Sequence, residues 1–362
     1  MDRNSIYVVY GSSPKEMVLK ILAKADIEGQ WDKAAHIGIK PNLVVSKPHT
    51  SGATTSPHIV SAVIEYLILE GYKNITILEG SWVGDNTSRA FYTCGYEEIS
   101  RKYGVPLVDL KKDGYFTCDV KGMNINICNK IRDVDYLINI PVLKGHCQTK
   151  ITCALKNMKG CIPDIEKRRF HTMGLHKPIA YLNLAVKSDL IIVDGMMGDL
   201  DFEEGGNPVE MNRILMGRDA VLIDTYAAEL MGFGIEEIPY IRMAEQIGVG
   251  CADLDRAHII ELNKDSRAKR INRTRKVERL SEYILERDAC SACYGSLIHA
   301  LERLYERGLL GSIKGKIHIG QAFKGKRGCG IGVGACAAQF DKSVPGCPPS
   351  AKKIVEHLER WI

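Results

Sequence analysis

Five cysteines crowd into the last quarter of the chain. Cys290 and Cys293 stand in "DACSACYGSLIHALERL", and Cys329, Cys336 and Cys347 follow in "RGCGIGVGACAAQFDKSVPGCPPS". In a reducing compartment, gathered thiols point to metal or catalysis rather than to disulfides. One metal site takes about four thiolates, so one of the five is spare or tunes the site. Structural zinc usually uses two C-x2-C knuckles. Here the second half reads C-x6-C-x10-C, which is no knuckle. An iron–sulfur cluster fits the pattern better. A C-x2-C at a helix start places thiolates at the positive end of the helix dipole. Nearby glycines let backbone N–H groups reach the sulfides, and a Cys-Pro end recurs in ferredoxin-type ligation. A structural zinc tail is the alternative. The C-x2-C-x2-C-x3-C run is absent, so this is not an appended ferredoxin domain.

A second set of reactive types lies upstream. "KPNLVVSKPHTSGATTSP" carries Lys40, Asn42, Lys47, His49, Thr54 and Thr55, and "EGSWVGDNTS" carries Glu79, Asp85 and Asn86. "LKGHCQTKITCALKNMKGCIPD" carries Lys144, His146, Cys147, Gln148, Thr149 and Lys150. "MMGDLDFEEGGNPVE" carries Asp199, Asp201, Glu203 and Glu204. Lysines, hydroxyls and helix N-termini bind anions, although the Gly-x4-Gly-Lys-Ser/Thr spacing of a P-loop is missing. The expected site therefore holds a small anionic substrate with Lys40, Asn42, Lys47, Thr54, Thr55, Lys150 and Glu204. Lys144 and His146 are the candidate catalytic pair, His146 as general acid. The carboxylates could instead hold a divalent cation. The plainer reading makes His146 a hydrogen-bonded structural residue and the first stretch a long capped turn. Cys147 next to His146 is a poor nucleophile pair, because adjacent side chains point different ways.

Alternating elements position these stretches. "SIYVVYG", "AHIGIKPNLV", "NITILEG" and "VPLVDLK" read as strands. Between them lie helices: one from Ser13, with Pro14 first and Glu16 closing a capping box, one capped by Ser56 ahead of Pro57, and one over "SRAFYTCGYEEISRKYG". "YLINIPVL", "LIIVDG" and "HIIEL" add strands, and "DGYFTCDVKGMNINICN" reads as an antiparallel excursion. The expectation is an α/β fold, a mostly parallel sheet with helices on both faces, with ligands at the C-terminal strand ends. A small cysteine-rich module follows, with a helix at "SACYGSLIHALERLYERG", a strand at "GKIHIGQAF" and a closing helix at "PPSAKKIVEHLERWI". The expected divisions are 1–262, a basic linker over 263–287 and an iron–sulfur module over 288–362.

Composition narrows the class. The chain has 362 residues with a net charge of +5, too mild to argue for nucleic acid. No apolar run approaches the roughly 18 residues of a membrane span, so the expected location is cytoplasmic. Residues 264–279 are strongly basic, and Lys314, Lys316, Lys324, Lys326 and Arg327 have no acid among them. They are solvated lysines or a guide for an acidic electron carrier, such as a ferredoxin or flavodoxin. A homodimer is open. A second cofactor, flavin or divalent cation, is also open, but no flavin motif is present.

"IGIKPNLV", "TTSPHIVSAVIEYL", "INIPVLKGH", "TKITCALKNMKG", "MMGDLDFEEGGNPV" and "GRDAVLIDTYAAELMG" resemble the blocks of the domain of unknown function 362 family, in order, over roughly residues 5–250. "CSACYGSLIHAL" and "GVGAC" with "VPGCPPS" resemble a C-terminal module of one branch of that family. That resemblance implies a 4Fe-4S cluster on Cys290, Cys293, Cys336 and Cys347, with Cys329 as alternate ligand. "HIVSAVIEYLILEGYKNITILEG" is similar, more faintly, to a block of the nickel-dependent lactate racemases; their cofactor-bearing lysine and histidine have no match here. Together these readings suggest a redox enzyme that reduces or dehydrates a small anionic substrate. The alternative is an electron-transfer or cluster-handling accessory protein.

Overall fold

The computed structural model describes residues 1–25, 29–264 and 276–362. It divides into two compact units, Met1–Lys167 with His176–Arg273, and Arg168–Leu175 with Thr274–Ile362. Most of the basic stretch 264–279 lies outside the described residues.

The first unit is built on eight strands. They are β1 (Ser5–Tyr10), β2 (Ile37–Pro41), β3 (Ile75–Glu79), β4 (Leu107–Asp109), β7 (Tyr136–Ile140), β10 (Leu190–Asp199), β11 (Pro208–Gly217) and β12 (His258–Glu261). Two further hairpins, β5 (Tyr115–Val120) with β6 (Met123–Cys128) and β8 (Lys144–His146) with β9 (Lys150–Thr152), stand apart from this sheet. The sheet order is β12-β1-β11-β10-β7-β2-β3-β4. Every neighbouring pair is parallel except the two that involve β11. Ile37, Ile39, Ile75, Ile77, Ile138, Ile140, Ile192 and Ile214 pack into one core with helices Pro14–Leu22, Pro57–Leu69 and Tyr96–Tyr103. The alternate residues Ile6, Val8, Leu137, Ile191, Val193 and Leu215 are buried too. With a period of two, both faces are therefore covered. The sheet is α/β and mostly parallel, as its apolar strand runs imply.

Several local readings change. The stretch 196–210 was expected as a loop. Instead β10 runs on to Asp199 and turns back as β11, with Gly198 opposite Val209 and Asp199 opposite Pro208. The run "SRAFYTCGYEEISRKYG" is two helices, Thr87–Thr93 and Tyr96–Tyr103, broken where Gly95 takes φ 80°. Ser13 and Ser56 sit at helix N-caps, but neither side chain makes the cap bond, so the expected capping box at Ser13 is not formed. At Ser56 the backbone N–H donates to the buried Asp194 carboxylate at 2.7 Å. "LKGHCQTKIT" is the β8–β9 hairpin rather than an open loop.

The second unit carries a four-stranded parallel sheet. Its strands β13 (Ile284–Glu286), β14 (Ile317–Ile319), β15 (Gly328–Val333) and β16 (Phe340–Val344) lie in that order. Helix Ser291–Glu306 buries Leu297, Ala300, Leu301 and Leu304 on one side, the period of an amphipathic helix. The closing helix is Ala351–Leu358. Its start is set by Ser350, whose hydroxyl accepts the Lys353 N–H, and the two prolines precede this cap. Among the described residues no helix is long and apolar enough to cross a membrane.

Candidate functional site

At the C-terminal ends of β2, β3 and β7 the backbone runs into buried polar side chains. Lys40, the fourth residue of β2, is fully enclosed. Its Nζ donates to Glu79 Oε1 at 2.9 Å, to the Pro41 carbonyl at 3.0 Å and to Asn157 Oδ1 at 3.3 Å. The Leu43 N–H donates to the other Glu79 oxygen at 2.8 Å. Asn42 and Asn139 both bond Asn157, and Thr55 ties the backbones of Asn42 and Ile140. The chain must pass very close here. A Cβ at Gly160 would collide with the Lys40 ammonium and the Glu79 carboxylate, so glycine is demanded by approach rather than by φ.

The β8–β9 hairpin adds the second half. Lys144 Nζ donates to Asn42 Oδ1, the Ala53 carbonyl and the Glu203 carbonyl. All three ammonium protons are thus used, and three chain segments are held together. Burial pulls Lys144 down to about 8 against the raising influence of the Glu203 carboxylate. His146 Nδ1 accepts the N–H groups of Gln148 and Thr149, both at 3.0 Å. In the neutral ring the proton then sits on Nε2. Nε2 lies 3.1 Å from Glu203 Oε2, but out of line for a hydrogen bond. Burial, then Lys156, lower His146 to about 4, so near pH 7 the ring is neutral.

Glu203 also meets Lys156, whose Nζ approaches Oε1 at 2.5 Å. Burial would raise the Glu203 carboxyl, but Lys156, His146 and Lys144 together hold it well below the usual range. The adjacent Glu204 goes the other way. Burial, then the Glu203 charge, raise it to about 7. Burial, then Glu204 and Glu203, also hold the Cys147 thiol well above its usual value, which keeps it protonated and argues against a Cys147 nucleophile. The result is one ionised carboxylate, one that titrates near neutrality, a neutral imidazole and two buried amines within a few residues of each other. Such a set can exchange protons.

The strand-end residues named from sequence do converge, but their donors are engaged within the protein. Lys47 Nζ donates to the Glu204 and Gly205 carbonyls, and Thr54 Oγ1 to the Lys47 carbonyl. Lys150 starts β9 in the left-handed region at φ 67°. The expected cationic anion cradle is in this state a set of ties between loops. The carboxylate run is likewise spent in part: Asp199 accepts three backbone N–H groups, from Asp201, Phe202 and Asn207. A protonated His146 acid is not what this burial supplies near pH 7. Sequence reasoning missed Lys156 and Asn157. They sit in "CALKNMKGC", an apolar helical stretch, and only the buried register of Ala154–Asn157 shows them facing the site.

In the second unit Cys290, Cys336 and Cys347 lie near enough to Cys293 to act on it electrostatically. Burial, then the thiols of Cys290, Cys347 and Cys336, push Cys293 up to about 12. Burial and then Cys347 raise Cys336, with Lys324 opposing. Cys329 is exposed on β15 and is not one of the groups acting on Cys293. Gln321 Nε2 lies 3.6 Å from Cys290 Sγ as a donor. Gly334, in the left-handed region at φ 90°, leaves the chain beside Cys293 without a side chain. The four thiols are electrostatic neighbours without being tightly gathered. Among the described residues no group of three or more His, Cys, Asp or Glu is close enough to hold a single metal ion.

Comparison with known proteins gives three findings. A structure of the lactate racemase apoprotein from Thermoanaerobacterium thermosaccharolyticum aligns at a TM-score of 0.42 and 10% identity, over 62% of this chain and 56% of that one. Similarity at that level carries no argument about fold or chemistry, and the chain spans little more than half of that protein. The thylakoid-associated protein sll1697 of Synechocystis sp. (strain ATCC 27184 / PCC 6803 / Kazusa) is 25% identical over 229 residues, 58% of this chain and 67% of that protein. Residues 37–229, more than half of the chain and the part that carries both halves of the strand-end site, match the model of one family. The chain belongs to the Domain of unknown function (DUF362) family.

Proposed function

We propose that this protein is an iron–sulfur redox enzyme, with a 4Fe-4S cluster on Cys290, Cys293, Cys336 and Cys347 and its substrate chemistry at the strand-end site. The observation that supports the reading is that the segments bearing these thiols meet: a Cβ at Gly334, two residues before Cys336, would lie 3.8 Å from Cys293 Sγ, and the Ala335 N–H donates to the carbonyl of Gly346, next to Cys347, at 2.8 Å. Cys290, Cys347 and Cys336 all act on Cys293, and Cys329 does not. Thiols that repel one another as anions gain most from a cation-rich cluster that binds them deprotonated. Gln321 offers a donor to one ligand sulfur, the type of contact that orients and tunes a cluster ligand. When bound, the cluster supplies single electrons.

The first unit would supply protons and orientation. Burying Lys144, Lys156, His146, Glu203 and Glu204 together costs several kcal/mol per uncompensated charge. A fold does not need that cost, whereas acid–base chemistry does. In this reading Glu204 and Lys144, raised to about 7 and lowered to about 8 by burial first, exchange the protons, and Glu203 holds Lys156 in place. A small carboxylate or phosphate compound is the substrate class, met by Lys144 or Lys47 once one of their internal bonds is released.

A specific observation also supports a second reading, an electron-transfer or cluster-handling accessory protein. The ammonium groups of Lys40, Lys47 and Lys144 are all engaged by protein acceptors. The two readings separate in one experiment. Protein purified without oxygen is reduced, then mixed with a panel of small carboxylates and phosphate esters, and the visible band is followed. An enzyme is reoxidised by one compound class, and Glu203→Gln loses that reaction while keeping its iron. Reoxidation by none, or undiminished reoxidation in Glu203→Gln, would leave the accessory role.

A further inference from the structure

The turn that contacts two of the cluster-thiol segments also projects a run of positive charge, and among the described residues none of Lys324, Lys326 and Arg327 has an ion-pair partner. Gln321–Phe323 is a 3-10 turn. Gln321 reaches Cys290 Sγ, while Phe323 packs on Ala337 in the turn that holds Cys336. The chain then runs through Lys324, Gly325, Lys326 and Arg327, all exposed, before entering β15. Lys324 is near enough to act electrostatically on Cys336. Cys347 is itself exposed and Cys336 is partly so.

Opposing charge nearby is sparse. No acid occurs between Ile313 and Gly328. On the neighbouring strands, Glu286 is spent on the Ala289 N–H, and Asp341 is flanked by Lys342. Arg287, stacked over Phe323 at 5.9 Å, adds to the positive side.

We infer that the Lys324–Arg327 turn is the docking surface for an acidic electron-carrier protein, which passes one electron to the cluster edge at Cys336 and Cys347. This rests on the iron–sulfur reading above. The step is a single-electron transfer: the carrier loses one electron, the cluster gains it, and no bond or proton need move. Exposed charge with few counter-charges steers association strongly and is screened by salt. Exposed thiolate ligands beside it give the short path that a carrier needs.

The test uses the loaded, full-length protein and reduced flavodoxin, an acidic flavin carrier, with Lys326→Glu/Arg327→Glu as the variant. Lys324 is kept because it lies beside Cys336. Two quantities are read: flavodoxin affinity by calorimetry, and the rate of cluster reduction by flavodoxin against dithionite. The inference expects affinity and carrier rate to fall about tenfold or more in the variant, and similarly between about 0.05 and 0.5 M salt. Dithionite reduction and iron content should stay within about twofold. Unchanged carrier affinity and rate in a variant that holds its iron overturn the docking surface alone. Equal losses with dithionite and carrier also overturn it, since they indicate damage at the cluster. A protein that takes up no iron overturns this inference together with the iron–sulfur reading.

Discussion

Single residues decide the chemistry in both units. Cys329 and Cys336 are interchangeable by spacing, and the proposed cluster takes Cys336 because it is one of the thiols that act on Cys293, whereas Cys329 is not. Cys336→Ala should therefore lose most of the bound iron, whereas Cys329→Ala should keep at least about nine-tenths of it, read by iron and sulfide analysis. Glu204 gives a prediction in pH. Its carboxyl is raised in the fold to about 7 from an ordinary value of 4.5. Between those values the folded state binds more protons than the unfolded one, so stability falls as pH rises through that window. Glu204→Gln fixes the uncharged form. It should be more stable than wild type at pH 8 by about 1–2 kcal/mol, a figure discounted for the side chain's partial exposure. At pH 4, below the ordinary value, the two proteins should be nearly equal. Denaturant titrations at the two pH values read the difference.

At the scale of elements, close approach matters as much as side-chain type. The segment Ala154–Cys161 lies so near β2 and β3 that Gly160 has no room for a methyl group beside the Lys40–Glu79 pair. Gly160→Ala should cost about 3–5 kcal/mol, since it strains the packing and separates a buried ion pair. Loss of the cooperative unfolding transition at ordinary temperature would agree with that figure; a change below about 1 kcal/mol would contradict it. These contacts were partly legible in the sequence. Strands such as "HIGIKP" and "ITILE" announce themselves as apolar runs bounded by turn residues. β11 does not, because "VEMNRILMG" mixes polar and apolar residues at neither period. The β8–β9 hairpin is hidden for a related reason: strands of three residues carry too little pattern to be read. The residues of the strand-end site could be named from sequence, but not the fate of their donors. Whether Lys144 faces a substrate or the carbonyls of Ala53 and Glu203 depends on chain segments about 60 to 90 residues away, and nothing in the local sequence encodes that.

At the scale of the whole molecule, the chain divides into two compact units, and the proposed function gives each its own chemistry. The second unit is small: a four-stranded sheet of short strands with helices of 16 and 8 residues at Ser291–Glu306 and Ala351–Leu358. Binding free energy of a cluster to thiolates adds directly to folding free energy. Removing the cluster with a chelator should thus lower the melting temperature of residues 274–362 by roughly 10 °C or more, while the transition of the larger unit moves little. Calorimetry on the loaded and stripped protein would resolve the two transitions. The family assignment rests on residues 37–229 and leaves the cysteine tail to be judged on its own geometry. The most direct measurement is therefore iron and acid-labile sulfide per chain, with the visible spectrum, on protein purified without oxygen. The account predicts about four irons, four sulfides and a band that bleaches on reduction. Stoichiometric zinc without sulfide, or thiols that stay free of any metal, would contradict it.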